Sequence, residues 1–442
     1  MTSLPPLRVA VVGAGVAGLS AAWLLSRRHQ VVLYETESRL GGHANTVEAG
    51  LECGVEPVDT GFIVYNEDNY PNFTRLLAHL DVASQPADMS LSVSLDGGSF
   101  EYSSLARGLF AQKRNLLRPG YWRMLADVLR FYREAPQDLA ALETSPTSLG
   151  DYLDARGYCP AFRHDHLLPM AAAIWSTPLE EITEFPAAAL IRFFINHGMM
   201  SLTGRGLWRT VSGGSRNYVR VLESQFSGEI VRGCRVTGVR READGVGVRD
   251  ASGWRSFDQV VLAVHADQAL GLIEDPGSDE RRVLGAFGYS RNHAVLHTDP
   301  RLMPRRRAAW AAWNHIGRRQ EPAAGFVTYW MSHLQSLRSQ DVFVSLNPSL
   351  PVSPDKVLRS EVYEHPIFNK AALAAQRELW GLQGRSGIWF CGSYFGYGFH
   401  EDALQAGLAV AEALGGVRRP WSVPNESGRI SITSALRREE AA

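Results

Sequence analysis

The first 40 residues combine two hydrophobic patterns with different periods. Leu7–Val12 is a short apolar run, which is typical of a buried strand. A helical run rich in Ala and Leu follows to about Arg28, and Gln30–Tyr34 is again apolar. The order strand, helix, strand predicts a parallel βαβ unit at the beginning of the chain.

Three glycines stand where the first strand meets the helix. Gly13 permits a tight turn, Gly15 lets the backbone approach a pyrophosphate, and Gly18 lets the helix pack closely on the strand. The helix N-terminus adds free N–H groups and the positive end of its dipole. Glu35 follows the second strand about 20 residues later, where a carboxylate accepts the hydroxyls of an adenosine ribose. The candidate dinucleotide-binding residues of the turn are Gly13, Ala14, Gly15, Val16, Ala17 and Gly18.

The residues after Glu35 separate FAD from NAD, whose enzymes use the same glycine turn. The chain continues through Thr36 to Arg39, one further residue, and then Gly41-Gly42. This order resembles the flavin amine oxidase superfamily, whose members carry an acid followed by Arg-x-Gly-Gly. The resemblance implies that Arg39 and the Gly41-Gly42 backbone hold the phosphates and ribityl of FAD, with Thr36 as a further contact.

We predict an α/β protein in which a Rossmann-like FAD-binding domain is assembled from three discontinuous segments. A mixed helix and sheet (α+β) substrate domain is interleaved with them, as in the amine oxidases. The FAD-binding domain is placed at 1–60, 211–284 and 381–420, the substrate domain at 61–210 and 285–380, and a C-terminal tail at 421–442. Residues from 418 onward are polar with little periodicity, so we expect them to be mobile.

The second FAD-binding segment alternates short strands with Gly-containing turns. The predicted strands are Cys234–Arg241, Val246–Asp250, Trp254–Phe257 and Gln259–Val264. The family resemblance implies that Val236 contacts adenine through its backbone.

The third segment contains a Gly- and aromatic-rich turn and then a helix of small residues from about Glu401. Small side chains let this helix lie close to the sheet, and its N-terminus can direct a positive dipole end at the flavin. An ordinary packing helix is the alternative. Its predicted apolar face comprises Ala403, Ala406, Gly407, Val410, Ala411 and Leu414, and the cofactor candidates here are Gly392, Ser393, Glu401 and Ala403.

The substrate domain begins with mostly helical patterns, interrupted by a predicted hairpin at Met89–Tyr102 around Asp96-Gly97-Gly98. Strands follow in its second part. They are predicted at Asn292–His297, Ala308–Trp313, Gly325–Met331 and Asp341–Leu346.

Composition excludes several classes of function. Hydrophobic content of 45% and a net charge of −1 give no electrostatic bias toward nucleic acid. The cysteines Cys53, Cys159, Cys234 and Cys391 are scattered, which indicates neither a disulfide framework nor a zinc site and fits a cytoplasmic protein. His164 and His166 lack a third ligand at a recognisable spacing, so no metal site is predicted. No signal peptide and no apolar run of about 18 residues is present.

Further stretches resemble one subgroup of this superfamily, the bacterial predicted NAD/FAD-binding proteins, over nearly the whole chain. The subgroup is similar to the flavin domain of plant cyclopropane fatty acid synthases and to desaturases of methyl-branched acyl chains. The resemblance implies dehydrogenation of a fatty acyl chain and a lipid methyltransferase as partner. The stretches are Gly41-Gly-His-Ala-Asn-Thr, Val58-Asp-Thr-Gly-Phe-Ile-Val-Tyr-Asn, Ala173-Ile-Trp-Ser-Thr-Pro, Phe193-Phe-Ile-Asn-His-Gly, Trp208-Arg-Thr-Val-Ser-Gly-Gly-Ser-Arg-Asn-Tyr and Tyr397-Gly-Phe-His-Glu-Asp.

A basic, aromatic and amphipathic segment at 110–134 adds a second indication of lipid. Helical spacing places Trp122, Leu125, Leu129 and Tyr132 on one face, with charged residues on another. Such a helix can lie at the headgroup boundary of the inner membrane face and attract anionic lipid. A helix that buries its apolar face in the core is the alternative.

Flavin chemistry requires groups that position a C–H bond and accept a proton. By resemblance, Gly61, Phe62 and Ile63 border the isoalloxazine ring. His43 is a candidate proton acceptor, although a local backbone bond would equally account for it. His400 and Glu401 have access to the ring, although an acid at a helix N-terminus is favourable in itself. His197 is a weaker candidate.

Four functions remain open from the sequence. They are FAD-dependent dehydrogenation of an acyl chain, redox-neutral double-bond isomerisation, amine oxidation, and a non-catalytic flavin-bound partner of a methyltransferase. Amine oxidation is disfavoured because Lys113, Lys356 and Lys370 are the only lysines, and none lies in the lysine motif of the amine oxidases. Cys391 does not match the position of covalent flavin attachment, so FAD is expected to bind noncovalently.

Overall fold

The computed structural model describes residues 5–52, 54–144, 147–175, 182–196, 198–200, 207–338 and 340–432. The candidate His197 and the cysteine Cys53 lie outside these residues. The strands are β1 (Arg8–Val12), β2 (Gln30–Glu35), β3 (Thr46–Leu51), β4 (Gly54–Asp59), β5 (Tyr65–Asn66), β6 (Ser84–Pro86), β7 (Leu91–Leu95), β8 (Phe100–Ser103), β9 (Trp208–Val211), β10 (Glu229–Arg232), β11 (Gly238–Glu242), β12 (Gly245–Asp250), β13 (Gly253–Phe257), β14 (Gln259–Leu262), β15 (Gly288–His297), β16 (Trp313–Arg318), β17 (Glu321–Trp330), β18 (Phe343–Leu346), β19 (Val357–Ile367) and β20 (Ile388–Phe390).

The helices connect these strands and cover the sheets. They are α1 (Val16–Leu25), α2 (Pro71–His79), α3 (Ala106–Leu109), α4 (Pro119–Thr144), α5 (Leu149–Ala155), α6 (Pro160–Phe162), α7 (Leu168–Trp175), α8 (Ala187–Asn196), α9 (Arg216–Gln225), α10 (Ala266–Leu272), α11 (Ser278–Leu284), α12 (Met331–Leu334), α13 (Lys370–Gln376) and α14 (His400–Leu414).

A five-stranded parallel sheet in the order β10-β2-β1-β14-β20 carries the predicted dinucleotide turn. It contains strands from all three predicted FAD-binding segments. Both faces of a parallel sheet are covered by other elements, which explains why β1, β2 and β14 read as continuous apolar runs. The outer strand β10 was not predicted. The strand predicted from Cys234 begins only at Gly238, and residues 234–237 are irregular.

Helix α14 packs directly on α1, and the contact requires a glycine. A Cβ atom at Gly407 would collide with the carbonyl of Ala17, so only glycine allows this approach. Every residue of α14 from Glu401 to Ala411 is buried. The helix therefore has no exposed polar side along these residues, unlike the single apolar face predicted for it.

The second large sheet has seven strands in the order β19-β15-β18-β17-β16-β7-β8. The hairpin β7–β8 confirms the turn predicted at Asp96-Gly97-Gly98. The strand predicted at Ala308–Trp313 is wrong, since the strand begins at Trp313. The side chain of Asn314 accepts from the backbone N–H of Ala311 and donates to its carbonyl, so Ala311 has no free groups for a ladder.

Strand β19 was not predicted, although it is the longest strand of this sheet. Pro366 near its end cannot donate to a ladder, and a proline in an apolar and polar alternation argues against a central strand. In the structure β19 pairs only with β15 and forms an edge of the sheet, where proline is tolerated.

Helix α4 contains the amphipathic segment and packs on the core, as the alternative interpretation held. Its buried seam is Tyr121, Met124, Phe131 and Ala135, which lies one residue away from the predicted apolar face. Trp122 and Leu129 of the predicted face are 47% and 52% exposed. None of the described helices is long and apolar enough to cross a membrane.

The prediction of mobile residues from 418 onward is wrong for 418–432. Arg419 is buried against Glu412, with 2.9 Å between Nε and Oε1, and Trp421 stacks on Trp23. Arg429 forms an ion pair with the buried Asp402. Polar residues without periodicity suggested disorder, but their buried partners lie on other elements. Residues 433–442 lie outside the described part of the chain.

Candidate functional site

A cavity of about 1270 Å³ lies against both large sheets and the N-terminus of α14. Almost every residue predicted to contact the cofactor lines it. These residues are Gly13, Ala14, Gly15, Val16, Ala17, Glu35, Thr36, Arg39, Gly41, Gly42, His43, Gly61, Phe62, Ile63, Val236, Gly392, Ser393 and Ala403. Gly18 and Glu401 are absent from the lining, for different reasons.

Two glycines of the β1–α1 turn allow close packing of the protein, and the third leaves space for a ligand. Gly13 has φ of +99°, and a Cβ there would lie 2.6 Å from the carbonyl oxygen of Ala263. A Cβ at Gly18 would collide with the carbonyl of Gly13, which explains its absence from the lining. A Cβ at Gly15 would meet no atom within 4 Å, so the open space beside Gly15 belongs to the cavity. This arrangement fits a pyrophosphate close to the backbone.

Hydrogen bonds join the acidic residue and the Arg-x-Gly-Gly stretch to this turn. Glu35 accepts from the backbone N–H of Ala14 at 2.8 Å, and the backbone N–H of Gly41 donates to the carbonyl of Ala14 at 2.8 Å. Arg39 donates to the carbonyl of Gly42 at 2.7 Å. The three parts of the motif therefore form one cradle, and its donor and acceptor groups fit the ribose and phosphates of FAD.

Phe62 and His400 meet where the flavin ring is predicted. Their rings stack with centroids 3.8 Å apart, and His400 Nε2 lies 2.7 Å from the hydroxyl of Tyr218. Burial lowers the pKa of His400 to about 3, so the ring is neutral at physiological pH. Because Phe62 and Tyr218 both contact the neutral ring of His400, this ring is suited to forming part of the wall of the site. It lies at the N-terminus of α14, which is the positive end of the helix dipole.

His43 lines the cavity next to the predicted flavin contacts Gly61 and Phe62. Burial is the main cause that lowers its pKa well below the ordinary value, and the neighbouring His365 acts in the same direction. Its ring nitrogens have no hydrogen-bond partner among the described residues, so no local backbone bond accounts for it. His43 is therefore a neutral imidazole that faces the cavity.

Glu401 does not line the cavity, which differs from its predicted place as a cofactor contact and catalytic group. Its carboxylate accepts from the backbone N–H groups of Asn72 and Phe73, at 3.1 and 2.9 Å, and from the side chains of Asn72 and Gln405. Asn72 and Phe73 belong to the first turn of α2, whose N–H groups lack partners within the helix. Glu401 therefore stabilises the N-terminus of α2 rather than that of its own helix α14.

Two site residues on β19 were missed together with the strand. The hydroxyl of Tyr363 lies 2.6 Å from Thr60 Oγ1 and accepts from Asn45 at 2.9 Å. The ring of His365 lies 5.4 Å from that of His43, measured between centroids. The alternation of Glu361, Tyr363 and His365 was the available signal, since alternate residues of a strand share a face.

One part of the cavity wall is formed by apolar and aromatic side chains, and we call it the apolar lining. Charged side chains line other parts of the wall, namely Glu37, Arg235, Arg291, Glu361 and Glu364. Phe193 stacks on Phe399, and Trp313 packs edge-to-face on Tyr329. The apolar lining comprises Ile63, Val64, Met89, Phe193, Met199, Trp208, Trp313, Tyr329, Leu346, Phe368, Tyr397 and Phe399.

One histidine of the pair considered for a metal has another contact. His166 is buried, and its Nδ1 lies 2.9 Å from the hydroxyl of Tyr102. Within the described ranges no group of three His, Cys, Asp or Glu side chains could hold a metal ion.

Cys391 is fully buried and does not line the cavity, whereas Cys234 lines it beside Val236, at the predicted adenosine end. Noncovalent binding of FAD remains a prediction.

Comparison with known proteins identifies the family. The family model described as flavin containing amine oxidoreductase matches residues 16–301. An L-amino-acid oxidase of Pseudechis australis is 60% identical over 42 residues, which are 9% of this chain and 8% of that protein. One of Demansia vestigiata is 57% identical over 42 residues, again 9% and 8% of the two chains. The match therefore spans less than a tenth of these relatives' length.

Solved structures share the fold over almost the whole chain. A CLA-producing fatty acid isomerase from P. acnes has 16% identity and a TM-score of 0.63, covering 92% of this chain and 98% of the isomerase. Cyclohexylamine oxidase from Brevibacterium oxydans IH-35A has 14% identity and a TM-score of 0.66, covering 93% and 100%. At these identities the likeness shows the fold alone.

Proposed function

The chain belongs to the family of flavin-containing amine oxidoreductases and is an FAD-dependent oxidoreductase, and from this premise we propose that it dehydrogenates a fatty acyl chain. The apolar lining is the observation that carries the proposal. An amine or an amino acid would need a charged partner when bound in such a wall, because an unpaired buried charge is strongly disfavoured. A hydrocarbon chain gains free energy from the same wall.

FAD supplies the hydride acceptor when it is bound. The β1–α1 turn and the Arg39–Gly42 stretch would hold its phosphates, and Glu35 its adenosine ribose. The positive end of the α14 dipole would stabilise negative charge near the ring. The apolar lining would position two adjacent C–H bonds and exclude water.

Dehydrogenation of a saturated bond releases one hydride and one proton, and a new C=C bond remains. We assign the proton to His43, because its ring is neutral and has no hydrogen-bond partner in the described protein. Its low pKa makes it a weak base, so the proton must leave as the hydride is transferred. An external electron acceptor is needed for repeated turnover but not for a single turnover.

Anaerobic mixing of the FAD-loaded protein with phospholipids tests the proposal. We expect bleaching of the flavin absorbance with methyl-branched acyl chains, and a product that is two mass units lighter. Bleaching by cyclohexylamine or an L-amino acid, without any reaction of the lipid, would overturn the acyl substrate. The absence of both a spectral change and a lipid change would favour a flavin-bound partner of a lipid methyltransferase.

Double-bond isomerisation is a second candidate, because a fatty acid isomerase shares the fold. In that reaction the hydride returns to the same chain, and the product of an unsaturated phospholipid keeps its mass. The same mixing experiment separates the two reactions. A shifted double bond with reoxidised flavin would replace dehydrogenation by isomerisation.

We also propose that the protein reaches phospholipid through an exposed patch around the start of α4. Phe110, Leu116, Leu117, Trp122 and Leu129 are all exposed, and Leu117 is 86% exposed. The rings of Phe110 and Trp122 lie 6.1 Å apart, and the Trp122 indole N–H donates to the carbonyl of Leu116.

Charges around the patch favour an anionic lipid surface. Lys113 and Arg114 are exposed between its apolar residues, and Arg118 is half-buried beside them. Apolar insertion together with basic residues is typical of helices that bind at the headgroup boundary.

Flotation with vesicles of phosphatidylcholine and an anionic phospholipid tests this contact. The double variant Leu117→Glu and Trp122→Glu should lose vesicle binding, whereas Val55→Glu, at an exposed apolar residue elsewhere, should retain it. Equal flotation of the wild type and the double variant would refute the contact.

A further inference from the structure

His365 faces the part of the chain that holds the cofactor cradle. On the same strand, Tyr363 contacts Asn45 and Thr60. In the sequence these two residues follow the cradle and precede the predicted ring contacts. His365 is two residues further along β19 and therefore shares this face. Its ring lines the cavity and lies beside His43, which directly follows the cradle residue Gly42.

A relay of two asparagine side chains ends on His365. The backbone N–H of His293 donates to Asn347 Oδ1, and Asn347 Nδ2 donates to Asn292 Oδ1, each at 2.8 Å. Asn292 Nδ2 then lies 2.8 Å from His365 Nδ1. A backbone N–H can only donate, so it determines the orientation of both amides in turn. The last amide must therefore present its NH₂ group to the histidine.

The relay selects one tautomer of His365. Because Nδ1 accepts from Asn292, the proton of the neutral ring must be on Nε2. Burial lowers the pKa of His365 to about 4, and the neighbouring His265 acts in the same direction. Nε2 has no hydrogen-bond partner among the described residues. His365 is thus a neutral ring with one oriented N–H donor left for the cavity.

We propose that the Nε2–H of His365 donates a hydrogen bond to bound FAD and stabilises the negative charge acquired on reduction. The interior of an acyl chain has no acceptor for this donor, whereas the flavin carries several nitrogen and oxygen acceptors. A donor oriented before the reaction costs no reorganisation when charge develops. Asn292 and Asn347 are positioning residues in this assignment, which rests on the FAD site and is independent of the acyl substrate.

NMR of ¹⁵N-histidine-labelled protein tests the tautomer without activity. The wild type should show His365 protonated at Nε2 and unprotonated at Nδ1, both with and without FAD. In Asn292→Asp an acceptor replaces the donor, so the proton should move to Nδ1. A His365 that is protonated at Nδ1 in the wild type, or unchanged in Asn292→Asp, would overturn the relay.

The midpoint potential of bound FAD tests the hydrogen bond itself. His365→Phe should make the potential more negative and slow reduction by substrate about ten- to a hundredfold, the range for one hydrogen bond to a charged group. Asn292→Leu should shift the potential in the same direction. His365→Gln keeps an N–H donor and should shift it less.

His293→Ala is the matched control, because only the backbone N–H of that residue enters the relay and its side chain is exposed. It should leave the potential unchanged. An unchanged potential in His365→Phe with FAD fully bound would refute the assignment. Since the potential is measured without lipid, failure of the acyl proposal would not affect this result.

Discussion

The two ends of the cavity are built in different ways. The cofactor cradle comes from residues 13–42 of a single βαβ unit. It presents backbone groups, and these depend on glycines at positions where a side chain would collide with neighbouring atoms. The apolar lining comes from segments as distant as Ile63 and Phe399, and it presents side chains held by two hydrophobic cores. The predicted contacts to the phosphates and ribose of the cofactor are therefore local in sequence, whereas those to the flavin ring and the substrate depend on tertiary packing.

The largest effect is expected when the cradle is disrupted from within. In Gly18→Val a side chain collides with the carbonyl of Gly13, and neither backbone segment can move without disturbing the sheet. We expect a loss of about 3 kcal/mol or more in the free energy of unfolding, together with loss of FAD. Thermal unfolding and FAD content measure it. A variant of wild-type stability would contradict the packing role of Gly18.

Gly15→Val separates ligand binding from folding at the same turn. The added Cβ atom enters space with no other atom within 4 Å, so the apoprotein should unfold near the wild-type temperature. The affinity for FAD should fall at least tenfold, which corresponds to about 1.4 kcal/mol. Titration of the apoprotein with FAD measures the affinity. Unchanged affinity would show that the phosphates do not approach Gly15.

Met89→Lys tests the other end of the cavity. An ammonium group in the apolar lining has no partner, so acyl binding should weaken and flavin reduction by phospholipid should slow about tenfold. FAD content should stay at the wild-type level because the cradle is unaffected. Met89→Leu is the matched control, and it should react like the wild type. Equal rates in both variants would exclude this wall from the substrate site.

The smallest effect is expected at Glu401, which does not line the cavity. Burial raises the pKa of Glu401, so its stability contribution is fully present below the unfolded value of 4.5 and is lost as pH rises through the folded value. Glu401→Gln should remove this pH dependence and cost about 1–2 kcal/mol, because the bonds to α2 weaken. Denaturant unfolding at several pH values measures both.

Flavin reduction by phospholipid is the control for Glu401→Gln. Its rate should be unchanged, since the carboxylate does not face the cavity. A large loss of reduction rate with FAD still bound would restore Glu401 as a catalytic candidate.

Predictions from sequence succeeded where neighbours along the chain decide the conformation. The parallel strands around the glycine turn and the hairpin at Asp96-Gly97-Gly98 follow from apolar runs and turn residues. The predictions from sequence failed where a residue far away in the sequence determines the local structure. Pro366 is compatible with a strand only at a sheet edge, and the buried Arg419 donates to Asn72, which is far away in sequence.

The sequence by itself determined the βαβ unit, its glycine turn and the acid that joins them, because these depend on backbone sterics within about 30 residues. The tertiary structure alone decided that Glu401 caps α2, that β19 brings His365 to the cradle, and that the apolar side chains of the lining lie together. These features depend on which side chains meet across distant segments. The residue types were visible in the sequence, but their partners were determined by packing.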